Sequence, residues 1–477
     1  MSATLVDLRG PGNSAKPSDE VDGSHSFIPQ DPVTEPLARG FIPRWASRGI
    51  SMAVNVVLTG QVMFYATTTL GLSPQLLGTL FLAANLFDWL IDFLAGALID
   101  RTRTRLGKAR PYELFIIPLW LLTIALFSTP LSWSQGARTA FLFGMFVAIA
   151  SFCRTFLGMG EIVFLKRAVP QANQVAQLTS RNGIFVVLVA AGANLALPQL
   201  VATFAERPNG WTIIAVIYAI PMMALGLVRF FTIPEVANTD LDTERISARQ
   251  GLSSALRNRY VYVVAGLVLC ARIATTVTQM TGLFFFTFVI GDVRLMSLVM
   301  ISGLAMPVGL LLFPRFQRRF GAINYIRVTL IVSVMGFGVT LLAPHNVAVV
   351  AVGQLFGALI YSAAMLGGYF MIQTMTYGHW KTGVSADGST NALVGAAGKI
   401  AGGIATAVIG GVLGTHGLGT NYSVGGAEVQ SALITLYAVV PLVLAAIMFV
   451  ITLFWDLDSK MPAIQQDLAA GRTAIVL

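Results

Sequence analysis

The sequence is poor in charge. Only 11% of its 477 residues are Asp, Glu, Lys or Arg, against about 25% in an average soluble domain, and the mean hydropathy is +0.74. A soluble globular fold is thereby excluded, and the chain reads as an integral membrane protein. Cysteine is scarce as well. Cys153 and Cys270 stand singly inside apolar stretches without metal-ligand spacing and read as packing residues. The four histidines, His25, His345, His379 and His416, are scattered, and no clustered nucleophile, acid/base set or metal motif appears. An enzyme is not expected, nor is any metal or cofactor. Residues 1–40 contain no apolar run long enough for a signal peptide. They are rich in Pro, Gly, Ser and Asp and are expected to form a disordered cytoplasmic tail.

What the chain has instead is twelve apolar segments, at about 46–70, 75–99, 111–131, 138–164, 183–205, 211–233, 260–290, 294–314, 325–343, 347–377, 390–414 and 429–455. An even number of crossings places both termini on one side. Basic residues say which side: 25 of the 31 lie in the tails and in the loops on the termini's side, while Arg138, Arg207 and Arg294 alone lie opposite. That bias predicts cytoplasmic termini in a plasma (inner) membrane protein. It also explains the net charge of +9 through lipid rather than nucleic acid, so nucleic-acid binding is not expected. The longest internal connection, 234–259, is polar and divides the segments into two sets of six, 41–233 and 260–456, followed by a tail at 457–477. Pro314-Arg315-Phe316-Gln317-Arg318-Arg319-Phe320-Gly321, after segment 8, is a weaker echo of the basic loop after segment 2. An echo of this kind is the sign of a transporter whose two halves rock about a midplane site.

The second segment carries the chemistry. Asp88, Asp92, Gly96 and Asp100 follow one another at intervals of four and so share a helical face. A charge at the bilayer centre costs roughly 2.5 to 3.5 kcal/mol on insertion scales, so this face must meet a partner charge, a cation, a proton or water. Asp100, Arg101, Lys108 and Arg110 then form a charged hinge suited to closing a cytoplasmic gate. Three basic residues lie well inside segments, away from their ends: Arg154, Arg272 and Lys399. Lys399 sits among Gly395, Gly398, Gly402 and Gly403, which let its helix approach a neighbour closely. Arg154 and Glu161 are two turns apart on one face and can pair with each other or with segment 2. Arg272 has no acid near it in sequence, so a partner from another helix or an anionic ligand is required. Asn55, Gln279 and Gln373 are intramembrane hydrogen-bonding candidates for a polar substrate. The run Phe284-Phe285-Phe286 with Phe288 reads as lipid-facing or packing surface.

Gly71-Leu72-Ser73-Pro74, Gly78-Thr79-Leu80-Phe81, Asp88, Asp92, Asp100-Arg101-Thr102-Arg103, Gly107-Lys108 and Arg110-Pro111 resemble the glycoside-pentoside-hexuronide:cation symporters, the melibiose-permease-like branch of the major facilitator superfamily. Tyr377-Gly378-His379-Trp380-Lys381-Thr382-Gly383, Asp387-Gly388 and the helix bearing Lys399 extend the resemblance. It implies an all-α membrane protein with twelve transmembrane helices in two six-helix bundles. It further implies symport of a sugar or glycoside with a cation, Asp88, Asp92 and Lys399 serving the cation and Arg181 the sugar. Segment 1 has no acid where the family often has a sugar-gripping aspartate. An amphipathic or lipid-like solute, or uncoupled facilitated transport, is therefore the alternative. The residue before the second carboxylate is Ile91, which offers no extra oxygen. The expected coupling ion is H⁺, with Na⁺ the alternative, and the expected assembly is a monomer.

Overall fold

The computed structural model describes residues 39–474 except 103, 108, 169–171, 236–247, 302–311, 314, 318, 362–365, 384–385, 417–425 and 471. The predicted N-terminal tail lies outside the described residues apart from 39 and 40. Among those described, the secondary structure is helical but for one isolated bridge between Thr104 and Gly107. Helices dominate because a membrane interior supplies no water to a free backbone N–H or C=O, so each segment must satisfy its own.

The first half holds α1 (Phe41–Thr68), α2 (Pro74–Arg101), α3 (a 3₁₀ turn Arg110–Phe115 leading into Ile116–Leu126), α4 (residues 135–168), α5 (Ala172–Phe204) and α6 (Gly210–Thr232). The second holds α7 (Arg259–Ile290), α8 (beginning at Met296–Met300), α9 (Ala322–Leu342), α10 (Val347–Gly357 and Gly367–Thr382), α11 (Asp387–Thr415) and α12 (Ala427–Thr452). Eight helices among the described residues are long and apolar enough to cross a membrane; α2, at 28 residues, is long enough as well but carries Asp88, Asp92 and Asp100.

Two stretches differ from their sequence reading. The connection after α6 contains a helix, Ala248–Leu256, and the segment after α12 is not a loose tail but a helix, Leu457–Ala469, with Leu457, Met461 and Ile464 buried. Its apolar residues recur at intervals of three and four, which makes one face of it adhesive. Asp456 ties this helix to the start of α7, accepting hydrogen bonds from Arg259 (2.8 Å), Tyr260 (2.5 Å) and Lys460 (2.6 Å). Burial works to raise the Asp456 carboxyl, but the hydrogen bonds from Lys460, Tyr260 and Arg259 outweigh it and hold it below the usual carboxylate range.

The echo between the halves is structural. Glu235, just past α6, accepts the backbone N–H groups of Ala109 and Arg110 at 2.9 Å each, where α3 begins. Asp458, just past α12, accepts the N–H of Ile323 at 2.9 Å, where α9 begins. Both capped starts follow a glycine with positive φ, Gly107 (113°) and Gly321 (86°), a backbone conformation that costs other residues energy.

The halves touch at the end remote from the linker. There α2 and α11 pack at backbone distance: a Cβ on Gly78 would stand 2.7 Å from the carbonyl oxygen of Thr406, and one on Gly410 would strike the carbonyl of Pro74. Phe64 of α1 meets Phe284 of α7 edge-on at 4.9 Å. Gln199 of α5 reaches Arg294 O (3.2 Å) and Ser297 Oγ (3.3 Å), and Ser297 donates to Leu195 O. The phenylalanine run is therefore interior packing rather than lipid surface: Phe284, Phe285 and Phe286 are fully buried, and Phe285 stacks on Tyr437 at 4.3 Å.

Candidate functional site

Four intramembrane charges share one depth. Asp88 lies 13 residues before the end of α2, Arg154 lies 14 before the end of α4, Arg272 lies 13 after the start of α7, and Lys399 lies 12 after the start of α11. At 1.5 Å per residue each stands roughly 20 Å in from the linker end, within a hydrocarbon core about 30 Å thick.

Asp88 and Lys399 join the two halves. Lys399 Nζ is 3.0 Å from Asp88 Oδ2, with side chains 28% and 19% exposed, so the pair is partly wet rather than sealed. Thr155 Oγ1 donates to the other carboxylate oxygen at 3.1 Å. The glycines near Lys399 permit this approach, since Gly403 packs on Leu82 and Gly402 on Asn85, one turn from Asp88. Asp92 lies on the same helix, but its side chain is outside the described residues, as are those of Asp100 and Arg101; Lys108 is outside them altogether.

Arg154 follows directly on a π-helical turn, Ala148–Cys153, the kind of irregularity that re-aims side chains at functional positions. Its Nη2 donates to Asn55 Oδ1 (2.9 Å) and to Thr59 Oγ1, while Asn55 Nδ2 donates to Thr123 Oγ1 (2.8 Å). The candidate Asn55 is thus an anchor for Arg154. Val268, Arg272, Thr275 and Gln279 form the less buried face of α7, on which Arg272 and Gln279 are exposed. The same face meets α11, for Val268 lies 3.7 Å from where a Cβ of Gly398 would stand.

A second cluster is more fully enclosed by protein, and of its members the sequence reading had singled out Glu161 alone. Arg48, Glu113 and Arg229 are at most 1% exposed and Glu161 is 31% exposed. Arg229 grips Glu113 with a two-pronged contact, Nε to Oε2 at 2.8 Å and Nη2 to Oε1 at 2.5 Å. Arg48 contacts Glu113 (3.4 Å), Glu161 (3.1 Å) and the carbonyl of Leu157. Arg229 also lies over the rings of Trp45 (4.5 Å) and Phe164 (5.3 Å), where a guanidinium is attracted to the ring face. The signal was present: all four residues fall inside apolar segments, two of each sign, whereas Arg48 and Arg229 read by position as loop charges. Without them the positive bias is 23 to 3, the same in sign.

The structure therefore rearranges the predicted set. Glu161 pairs with Arg48 and Arg229 (3.5 Å), not with Arg154. Gln373 lies apart from these charges: its Nε2 donates to Tyr369 OH at 2.7 Å, and it lines a separate cavity of about 410 Å³ with Gln317, Asp458 and the C-terminal helix. Arg110 spends its guanidinium within its own half, on Phe230 O (3.0 and 2.7 Å) and over the Phe230 ring, so here it bridges no gate. Arg181 is exposed on α5.

Two six-segment sets, joined at the midplane by an ion pair, define a secondary transporter of the major facilitator type. Residues 44–459 match the MFS/sugar transport protein family, and the chain belongs to it. It is 24% identical to the isoprimeverose transporter of Lactiplantibacillus pentosus over 94% of this chain and 96% of that one. It is 24% identical to a Bacillus subtilis (strain 168) protein named as an uncharacterized symporter, YnaJ, over 85% of this chain and 89% of that one. In fold it resembles the D-xylose-proton symporter, with a TM-score of 0.58 at 14% identity over 88% and 98% of the two chains.

Proposed function

We propose that the protein is a cation-coupled symporter that moves a sugar or glycoside across the membrane by alternating access, its halves being residues 41–233 and 260–456. One observation carries the reading: the 3.0 Å contact of Asp88 with Lys399 joins the two halves at mid-depth. A rocking motion that separates α2 from α11 at this level lengthens that contact. A lone carboxylate in apolar surroundings is costly, so losing the ammonium drives uptake of a cation, and regaining it drives release. The relatives' names, a sugar transporter and a symporter, agree with this reading.

The cation is H⁺. One carboxylate suffices for a proton, whereas a dehydrated sodium ion needs several oxygen ligands, and the residue before Asp92 is the buried, apolar Ile91. In proteoliposomes, uptake is expected under an imposed pH gradient alone; accumulation driven by sodium and not by the pH gradient refutes H⁺ coupling. Both termini face the cytoplasm, on the strength of the positive bias of the loops on their side. In that orientation the structure is closed toward the outside. With Cys153 and Cys270 buried, a Gln466→Cys protein is expected to resist an impermeant thiol reagent in intact cells, and labelling there would reverse the orientation.

A further inference from the structure

The cavity of about 410 Å³ that Gln373 lines sits in the second half, between α10, the turn before α9 and the C-terminal helix. Its size falls within the range of small-molecule sites, about 300 to 1,000 Å³, and none of its described lining residues belongs to the site around Asp88 and Lys399. Its walls hold unspent hydrogen-bonding capacity. Tyr369 OH accepts two amide N–H groups, from Gln317 Nε2 (2.9 Å) and Gln373 Nε2 (2.7 Å), and keeps its own hydrogen to donate. Gln373 is only 9% exposed, yet among the described residues its Oε1 has no hydrogen-bond partner. A buried acceptor left unpaired costs about 1 to 3 kcal/mol. Turning the amide around would let Tyr369 donate to Oε1, but it strands Nε2 in the same place. Asp458 is the one charged residue of the lining among the described residues. Its oxygens accept the Ile323 N–H (2.9 Å) and the indole N–H of Trp455 (3.0 Å), which fix the carboxylate in the wall.

We propose that this cavity is a second ligand site, separate from the transport path, for a small uncharged molecule rich in hydroxyl groups: a free sugar or polyol. A hydroxyl both donates and accepts, so neighbouring hydroxyls of one molecule can donate to Gln373 Oε1 and accept from Tyr369. Ile372 and Met461 supply apolar wall for the carbon skeleton. An anion such as a sugar phosphate is disfavoured, because it would bring like charge toward Asp458 with no described lining cation to offset it. The lining comes from the second half and the C-terminal helix alone. Rocking of the two halves as rigid bodies therefore leaves the site intact, and its occupancy does not depend on the symport reading above. A ligand that bridges α10 and the C-terminal helix favours the docked helix by mass action.

The test reads occupancy from a cysteine on the cavity wall. Gln465→Cys lies in the lining and Gln466→Cys lies next to it outside the lining, in a protein whose Cys153 and Cys270 are buried. The full chain is placed in phosphatidylcholine nanodiscs free of sugar detergents and glycerol, and the rate of maleimide labelling is followed against D-glucose, sorbitol and glucose 6-phosphate. Glucose or sorbitol is expected to slow labelling of Gln465→Cys saturably, by roughly fivefold at about four times its Kd, and to leave Gln466→Cys unchanged. Glucose 6-phosphate is expected to bind roughly tenfold more weakly. Adding Gln373→Leu should raise the Kd of the neutral ligand roughly 3- to 10-fold, the worth of a hydrogen bond. If that variant does not fold, Tyr369→Phe keeps the ring, removes the hydroxyl and should act in the same direction. No protection by glucose or sorbitol overturns the proposal, since the cavity then holds water only. Equal slowing at Gln466→Cys overturns it too, because the effect then lies outside the cavity. Glucose 6-phosphate as effective as glucose overturns the uncharged class, and a Kd that neither Gln373→Leu nor Tyr369→Phe changes overturns the assignment to this wall.

Discussion

Asp88→Asn is expected to abolish uphill transport while leaving exchange of substrate across the membrane in place. A carboxamide still accepts the hydrogen bond from Thr155, but it neither binds a proton at physiological pH nor neutralises Lys399, whose ammonium sits 3.0 Å away in the wild type. Coupling requires the cation to bind one arrangement of the halves better than the other, and an amide removes that difference. For one proton per substrate, a gradient of one pH unit supports about tenfold accumulation, because tenfold in concentration corresponds to 1.4 kcal/mol. The variant should reach only the external concentration, with counterflow of preloaded substrate preserved. An Asp88→Asn protein that still concentrates substrate about tenfold would remove Asp88 from the coupling path. Lys399→Gln should fail differently, leaving the Asp88 carboxylate without its ammonium and altering the pH dependence of uptake as well as its extent.

Glu113→Gln should be among the most destabilising single changes in the chain, at about 3 to 5 kcal/mol, the cost of stranding buried charge by removing its partner. Glu113 sits between two fully buried guanidiniums, accepting a two-pronged contact from Arg229 and a longer one from Arg48. An amide accepts fewer of these hydrogen bonds and cancels neither charge. Glu161→Gln is expected to cost less, since that side chain is 31% exposed and water can screen what it leaves behind. Replacing Arg48, Glu113, Glu161 and Arg229 together with apolar residues of similar volume should restore most of the loss, because well-packed apolar groups often equal a buried ion network. The measurement is unfolding in detergent by temperature or denaturant. A Glu113→Gln protein as stable as the wild type would show that the cluster does not hold α1, α3, α4 and α6 together.

The two clusters differ in how legible they were. Asp88 and Lys399 stood out because each lies near the middle of an apolar segment, where a charge is anomalous whatever the neighbours. Arg48 and Arg229 lie near segment ends, where a basic residue has a simpler reading as a cytoplasmic flank, and nothing local distinguishes the two cases. Glu161 was placed correctly on α4 and given the wrong partner. Spacing along one helix shows which side chains share a face, but not which face a neighbouring helix presents to it. The same holds for Gln373: its segment was legible, whereas its surroundings, Tyr369 and the C-terminal helix, were not. That helix was itself overlooked because thirteen residues with three buried apolar side chains form a weak pattern beside spans twice as long.

The sequence by itself determined that this chain lives in a membrane, where its apolar spans run and which charges lie near the middle of a span. These follow from transfer free energies, and such costs depend on each residue's own chemistry and its position along a segment. Only the tertiary structure decided the pairing: Asp88 with Lys399 across the halves, Glu113 between Arg48 and Arg229, Arg154 held by Asn55 and Thr59, Arg272 with no partner among the described residues. A pair interaction depends on distance between atoms far apart in the chain, and for Asp88 and Lys399 that distance is set by the close packing of α2 on α11 through glycines at positions 78, 403 and 410.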